Sequence, residues 1–290
     1  FFTPSILSGK KTNMKAKSIK GKSTEEVKSK LEQSMTDGFQ PTLAICFISK
    51  SLDRTAISNV LDAAGISVFG CTTNGEFIDE ETEKGSAAIL LLDMKKEYFH
   101  IYFHEFSEPN YRQVAKEIAQ NVKEKFPLPA FFLGLSHHET DGEEILHGLE
   151  DIAGKEVNAF GGGAGDDYAF KDNFVFTNGK DSEKAIVCIA IDETKIKVEG
   201  ITTCGWKAVG TEKIVTKSEG NHVYTVDNVA VLDLTAKYGG LENVTPENKS
   251  LLLEIAANLP LQLQREKGDP VMRPGLMVDW SDRSFYTSGT

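Results

Sequence analysis

Apolar positions along the chain fall into two textures. Some form short unbroken runs, as in strands covered on both faces. Others recur at three- and four-residue spacing, as in helices lying on a sheet. Thr42–Ile48 is a run of the first kind. Leu52–Ala64 has the helical spacing and stops at Gly65, a residue suited to a helix C-cap. Ile66–Gly70 is the next strand, and it opens into the loop Cys71-Thr72-Thr73-Asn74-Gly75-Glu76. Gly85–Met94 and Tyr98–Phe106 read as long strands joined in a hairpin through Lys95-Lys96-Glu97. Upstream, residues 10–30 are lysine-rich and then polar, with Thr24–Ser34 as an amphipathic helix capped by Ser23 or Thr24.

The same order then returns. Ala130–Leu135 is an apolar strand, Asp141–Ile152 a helix with Asp141 and Glu144 as a capping box, and Val157–Phe160 a strand. That strand opens into Gly161-Gly162-Gly163-Ala164-Gly165-Asp166-Asp167. Asn173–Thr177 and Ala185–Ile191 read as a hairpin around Asn178-Gly179. This is an internal repeat of strand, helix, strand, loop and hairpin, linked by a helix over Tyr111–Phe126. Phe69–Glu76 aligns with Phe160–Asp166, placing Gly75 against Gly165 and Glu76 against Asp166. Two copies are too few for a solenoid and suit a pseudo-symmetric domain with one mixed sheet or two packed sheets.

After Gly200 the texture changes. Ile201–Trp206, Ala208–Lys217 and His222–Asp227 read as strands, and Asn228–Tyr238 as a helix ended by Gly239-Gly240. Leu251–Leu263 fits a strand pair or a helix, and Val271–Thr290 returns to strands. The expected fold class is mixed α+β, with the pseudo-repeated domain at 41–203, an extension at 1–40 and a smaller α+β domain at 204–290. The last strand pattern stops at Gly289-Thr290, so that second domain is expected to be incomplete.

Composition narrows the partners. Lys+Arg number 32 against 43 Asp+Glu, a net charge of −11 on 290 residues. An acidic surface repels phosphate backbones, so nucleic acid is not an expected partner. The longest apolar run, Ala87–Leu92, is far short of the ~20 residues of a membrane span, so no membrane is expected. Phe1–Lys11 carries neither a basic n-region nor an apolar h-region, so no leader is expected. Cys46, Cys71, Cys188 and Cys204 form no C-x-x-C pair, which points to a reducing, cytoplasmic compartment.

Five groups are candidates for chemistry. The glycine-rich loops Cys71–Glu76 and Gly161–Asp167 follow strands where open sheets bind ligands. Their glycines let backbone N–H groups approach a ligand, with Thr72, Thr73, Glu76 and Asp166 as polar contacts; they equally suit tight turns where strands cross. Neither loop has a phosphate or dinucleotide fingerprint. Ser136-His137-His138-Glu139-Thr140-Asp141 follows a strand and is a metal candidate with Asp166 or Glu76, or a solvated loop and helix cap. His100, His104, Tyr98 and Tyr102 share one face of their strand, as a haem or metal ligand set or as a semi-exposed polar face. Cys71 is a nucleophile or a buried apolar residue. In the second domain Asn221, Tyr224, Asp227 and Arg273 stand out, Asp227-Asn228 as a helix N-cap and Arg273 as a carboxylate clamp.

Phe69-Gly70-Cys71-Thr72-Thr73-Asn74-Gly75-Glu76 and Gly161-Gly162-Gly163-Ala164-Gly165-Asp166 resemble the two hallmark segments of the FIST N-terminal domain, G-C-[ST]-[ST]-x-G-E and G-G-x-A-G-D. Gly205-Trp206, Val209-Gly210, Ile214-Val215-Thr216 and Asn221–Asp227 are similar to the opening of the FIST C-terminal domain, so the resemblance covers about residues 40–290. It implies a bacterial or archaeal sensory domain that binds a small molecule, amino acids among the ligands. It also implies a downstream signalling protein such as a kinase or chemotaxis component, with no output domain in this chain. One branch of the family holds haem. The expected function is a cytoplasmic, non-enzymatic ligand-binding sensor with its site at Cys71, Thr72, Thr73, Gly75, Glu76, Gly162, Gly163, Gly165, Asp166, Asp227 and Arg273. The alternatives are a haem-based nitric oxide sensor and a hydrolase using Cys71.

Overall fold

A computed structural model describes residues 2–4, 14–79, 81–107, 110–136, 140–167, 171–200, 205–248, 255, 258–265 and 270–289. The chain divides into two compact units, Phe1–Thr140 with Glu144–Ile201, and Asp141–Glu143 with Thr202–Thr290.

In the first unit the order is β1 (Phe2–Pro4), β2 (Ala16–Gly21), α1 (Thr24–Ser34), β3 (Leu43–Ser49), α2 (Arg54–Ala63), β4 (Ser67–Thr73), β5 (Glu76–Ile78), β6 (Glu81–Glu83) and β7 (Ala87–Leu92). Then come β8 (Phe99–Glu105), α3 (Tyr111–Lys125), β9 (Pro129–Leu135), α4 (Gly142–Ala153), β10 (Asn158–Gly163), β11 (Val175–Thr177), β12 (Lys180–Ser182), β13 (Ala185–Asp192) and β14 (Ile196–Val198). The helices start where hydroxyl and carboxylate side chains cap them. Ser23 Oγ accepts from Glu26 N–H at 3.2 Å and Asp53 Oδ1 from Ala56 N–H at 2.9 Å.

Two sheets carry the repeat. One has six strands in the order β12-β11-β4-β3-β7-β2, the other four in the order β10-β9-β13-β8. β3 and β4 are parallel with Leu43 opposite Ser67; β9 and β10 are parallel with Ala130 opposite Asn158. The shared unit is thus β-α-β-α-β-β, with β2-β7-β3-β4 matching β8-β13-β9-β10. Strand β2 and α1 complete the first copy, so residues 16–34 belong to the domain and are not an extension. Likewise α3 is the first helix of the second copy and not merely a linker.

Alternation of side chains sorts each strand between layers. Leu43, Ile45, Phe69 and Cys71 pack with Ala130, Val187 and Ile189 in a core between the two sheets. Ala44, Cys46, Ile48 and Val68 face the other way, onto Val27 and Leu31 of α1 and Ile57 and Leu61 of α2. Phe131, Leu133 and Cys188 face Val114, Ile118, Ile145 and Leu149 of α3 and α4. The result is four layers, helix, sheet, sheet and helix, which is why the central strands read as continuous apolar runs. The sheets meet closely at Gly134, where an added Cβ would lie 2.4 Å from Cys71 Sγ.

Both expected hairpins are corrected. Lys96–Tyr98 is a single 3-10 turn that carries the chain from β7 in one sheet to β8 in the other. Asn178-Gly179 does turn a hairpin, but β11 pairs with β12, whereas β13 lies in the second sheet between β8 and β9. Strand β11 then adds to the first copy, antiparallel to β4 with Phe176 opposite Gly70. A short pair, β1 with β14, completes the unit.

The second unit contains β15 (Val215–Glu219), β16 (His222–Val226), β17 (Val229–Ala230), α5 (Val231–Gly239), β18 (Leu261–Leu263), β19 (Val271–Arg273), β20 (Gly275–Asp279) and β21 (Ser284–Thr287). Its sheet runs β15-β16-β21-β20, with β17 also on β16. Helix α5 ends at Gly240 in the left-handed conformation, φ 64°. It does not begin at Asp227-Asn228. Both of those residues have positive φ, 49° and 60°, and form the two-residue turn between β16 and β17. The expected strands at 201–217 reduce to β15, with 201–204 outside the described residues, as is most of 251–257. No described helix is long and apolar enough to cross a membrane.

Candidate functional site

The two glycine-rich segments meet at the end of β4. That strand runs on through Cys71, Thr72 and Thr73, so these residues are strand and not loop. Thr72 N–H donates to Phe174 O at 2.9 Å, and Thr72 Oγ1 accepts from Phe174 N–H at 3.0 Å. Thr72 O in turn accepts from Gly165 N–H at 2.7 Å. Asn74 Oδ1 accepts from Asp166 N–H at 2.7 Å and Asp167 N–H at 2.6 Å. A Cβ on Gly165 would stand 2.6 Å from that same oxygen, so only glycine allows the approach. Asn74 is therefore the hub that binds the second segment to the first. Its type and place in a turn were legible, but its partners lie 92 and 93 residues away.

The carboxylates are buried fasteners. Glu76 is 2% exposed. Its Oε1 accepts from Thr73 Oγ1 at 2.7 Å, and its Oε2 from Ser86 N–H at 3.1 Å and Ser86 Oγ at 3.2 Å. Gly75, at φ 141°, makes the turn that brings Glu76 back to Thr73. Asp166 is also buried, and its Oδ2 accepts from Lys171 N–H. Cys71 lies in the core between the sheets, and burial pushes its thiol well above the ordinary range. The thiolate is the reactive form, so this burial disfavours nucleophilic chemistry at Cys71, which packs as an apolar residue. Cys71, Thr72, Glu76 and Asp166 are thus all buried.

Gly162 and Gly163 are exposed on β10, and an added Cβ on either would meet nothing within 4 Å. β10 is the outermost strand of its sheet. In the segments that follow β10, Asp167 Oδ1 and Asn173 Oδ1 are buried without a hydrogen-bond donor among the described residues. Lys84 Nζ stands 3.6 Å from the former. An acceptor left in this state calls for a donor group.

The other candidates are tied up. His137, His138 and Glu139 lie outside the described residues; Ser136 Oγ donates to Ala185 O and accepts from Ala185 N–H. His100 and His104 face α3, where Lys125 Nζ donates to His100 Nδ1 at 2.9 Å and Glu117 is 3.8 Å from His104. Burial, then Lys125, pushes the His100 pKa down. Tyr102 Oη donates to Asn121 O. The four described histidines, these two with His147 and His222, each meet a charged or hydroxyl partner.

Within the second unit, Asp227 Oδ1 accepts from Ile214 N–H at 2.9 Å and Oδ2 from Lys213 Nζ at 2.9 Å. These partners, the amide first, hold its carboxyl below the usual range. Arg273 Nη2 donates to Glu143 at 2.7 Å. The carboxylate clamp therefore already holds a carboxylate of this chain. Asn221 Nδ2 donates to Thr287 O, and Tyr224 stacks on His222 with ring centroids 4.0 Å apart.

The model of one protein family, the FIST N domain, matches residues 42–229. No curated protein sequence matches the chain.

Proposed function

Because the chain belongs to the FIST family, a family of sensory domains, we propose that its first unit binds a small ammonium-bearing metabolite, an amino acid being the simplest. The ligand lies along the bare backbone of Gly162 and Gly163 with its ammonium toward Asp167 and Asn173. Cys71, Thr72, Gly75, Glu76, Gly165 and Asp166 shape the site without touching the ligand. The observation that supports the reading is that Asp167 Oδ1 and Asn173 Oδ1 are buried with no hydrogen-bond donor among the described residues. The protein acts by binding and not by catalysis, in the cytoplasm. Occupancy shifts residues 164–167 and 171–174 between populations that a separate kinase or chemotaxis component distinguishes.

The test is a thermal-shift screen of the full chain against amino acids, amines and carboxylates. A ligand at 100 times its Kd adds about 2.7 kcal/mol of apparent stability, a shift of a few degrees. The expected result is a shift by ammonium-bearing compounds that disappears in Asp167→Asn and Asn173→Ala. A shift that survives both substitutions places the site elsewhere, and no shift from any compound removes the reading.

A further inference from the structure

The second unit holds a side-chain cluster that the proposed ligand site does not use. His222, Asp279 and Asp282 each offer one ligand atom, and these atoms lie within 4.8 Å of one another. His222 is on β16, Asp279 ends β20, and Asp282 lies in the turn between β20 and β21. Pairing of β16 with β21, His222 opposite Tyr286, brings the turn to the imidazole.

The imidazole is buried, 6% exposed, and held between two rings, with Tyr224 and Tyr286 centroids each 4.0 Å away. Ser284 Oγ donates to Asp282 Oδ1, so its own oxygen receives His222 Nε2–H at 2.5 Å. Asp279 Oδ1 is taken by Ser281 N–H and Oγ. Each aspartate therefore keeps a second oxygen, and Ser281 and Ser284 orient the carboxylates as outer partners do in metal sites.

We propose that His222, Asp279 and Asp282 bind one divalent transition cation, of the zinc or manganese class. One imidazole and two carboxylates balance a dication. The nitrogen ligand favours such ions over calcium or magnesium. Around a bound zinc, ligand atoms stand about 3.3 Å apart, so side-chain shifts of about 1 Å close the present spacing. Three protein ligands leave a position for water. Coordination through Nε2 moves the ring proton to Nδ1 and gives up the bond to Ser284.

The experiment uses the full chain after chelation, titrated with Co2+ and read by its visible ligand-field bands, with Zn2+ as competitor. We expect one equivalent bound, with affinity reduced at least about tenfold in Asp279→Asn and in Asp282→Asn. Glu247→Gln, an acid outside the cluster, leaves it unchanged. His222→Gln abolishes binding; should that variant not fold, the two asparagine variants decide alone, since Asp282 is exposed and Asp279 half-buried. Absence of cobalt bands in the folded chain, or equal binding by wild type and both asparagine variants, overturns the proposal.

Discussion

The two halves of the first unit share one strand order and differ at one edge. In the first copy the outer strand β4 is closed by β11, a strand lent by the second copy. In the second copy the matching strand β10 has no outer neighbour among the described residues, and its last residues are exposed glycines. The first copy spends its acidic residue, Glu76, on Thr73 and Ser86 inside the fold. The second follows Asp166 with Asp167, one of whose oxygens has no hydrogen-bond donor among the described residues and faces Lys84 Nζ at 3.6 Å. The repeat thus has one edge covered by a further strand and one edge without such a cover among the described residues.

Removing the lent strand should cost most. Phe176, 1% exposed, packs in the core between the first sheet and its helices. Phe176→Ala should lose about 3–5 kcal/mol in urea unfolding, and a loss below about 1 kcal/mol would mean β11 is dispensable. Next comes the contact between the sheets. Gly134→Ala should cost about 1–3 kcal/mol by overpacking against Cys71 Sγ. Adding Cys71→Ala should recover part of that cost; strictly additive losses would show that this contact does not limit the approach.

The contrast between edges is sharpest at the glycines. Gly161→Ala should destabilise strongly, since its Cβ would be 2.1 Å from Leu133 O. Gly163→Ala, in open space, should stay within about 0.5 kcal/mol while weakening ligand-dependent thermal shifts. Equal losses at both positions would contradict an open β10. The smallest effect is expected from acid. Asp227 has a lowered folded pKa, so its contribution is present above the unfolded value of about 3.9 and is lost as pH falls below it. Hydrogen exchange at the Ile214 amide should therefore show less protection near pH 2 than near pH 5, once corrected for intrinsic rates.

Element positions were largely legible, because capping and periodicity are local. Ser23, Asp53 and Gly65 mark the ends of α1 and α2, and Asn178-Gly179 marks a turn. Pairing was not legible, because it depends on which layer a strand joins. Lys95-Lys96-Glu97 between two apolar strands has the pattern of a hairpin, yet β7 and β8 belong to different sheets. β2 escaped notice because it is an edge strand in which Ile19 is the one buried large apolar residue. The glycine-rich segments could be aligned with each other from sequence. That Glu76 and Asp166 point inward could not, since their partners Ser86 and Lys171 carry no signature of their own.

The lent strand also sets a timetable for synthesis. Thr72 and Phe174, which bond directly, are 102 residues apart. At 5–20 residues per second, β4 leaves the ribosome about 5–20 s before β11 exists to cover it. Through that interval the nascent first copy presents a bare apolar edge. The gene therefore cannot be cut between its two copies without leaving the first one open.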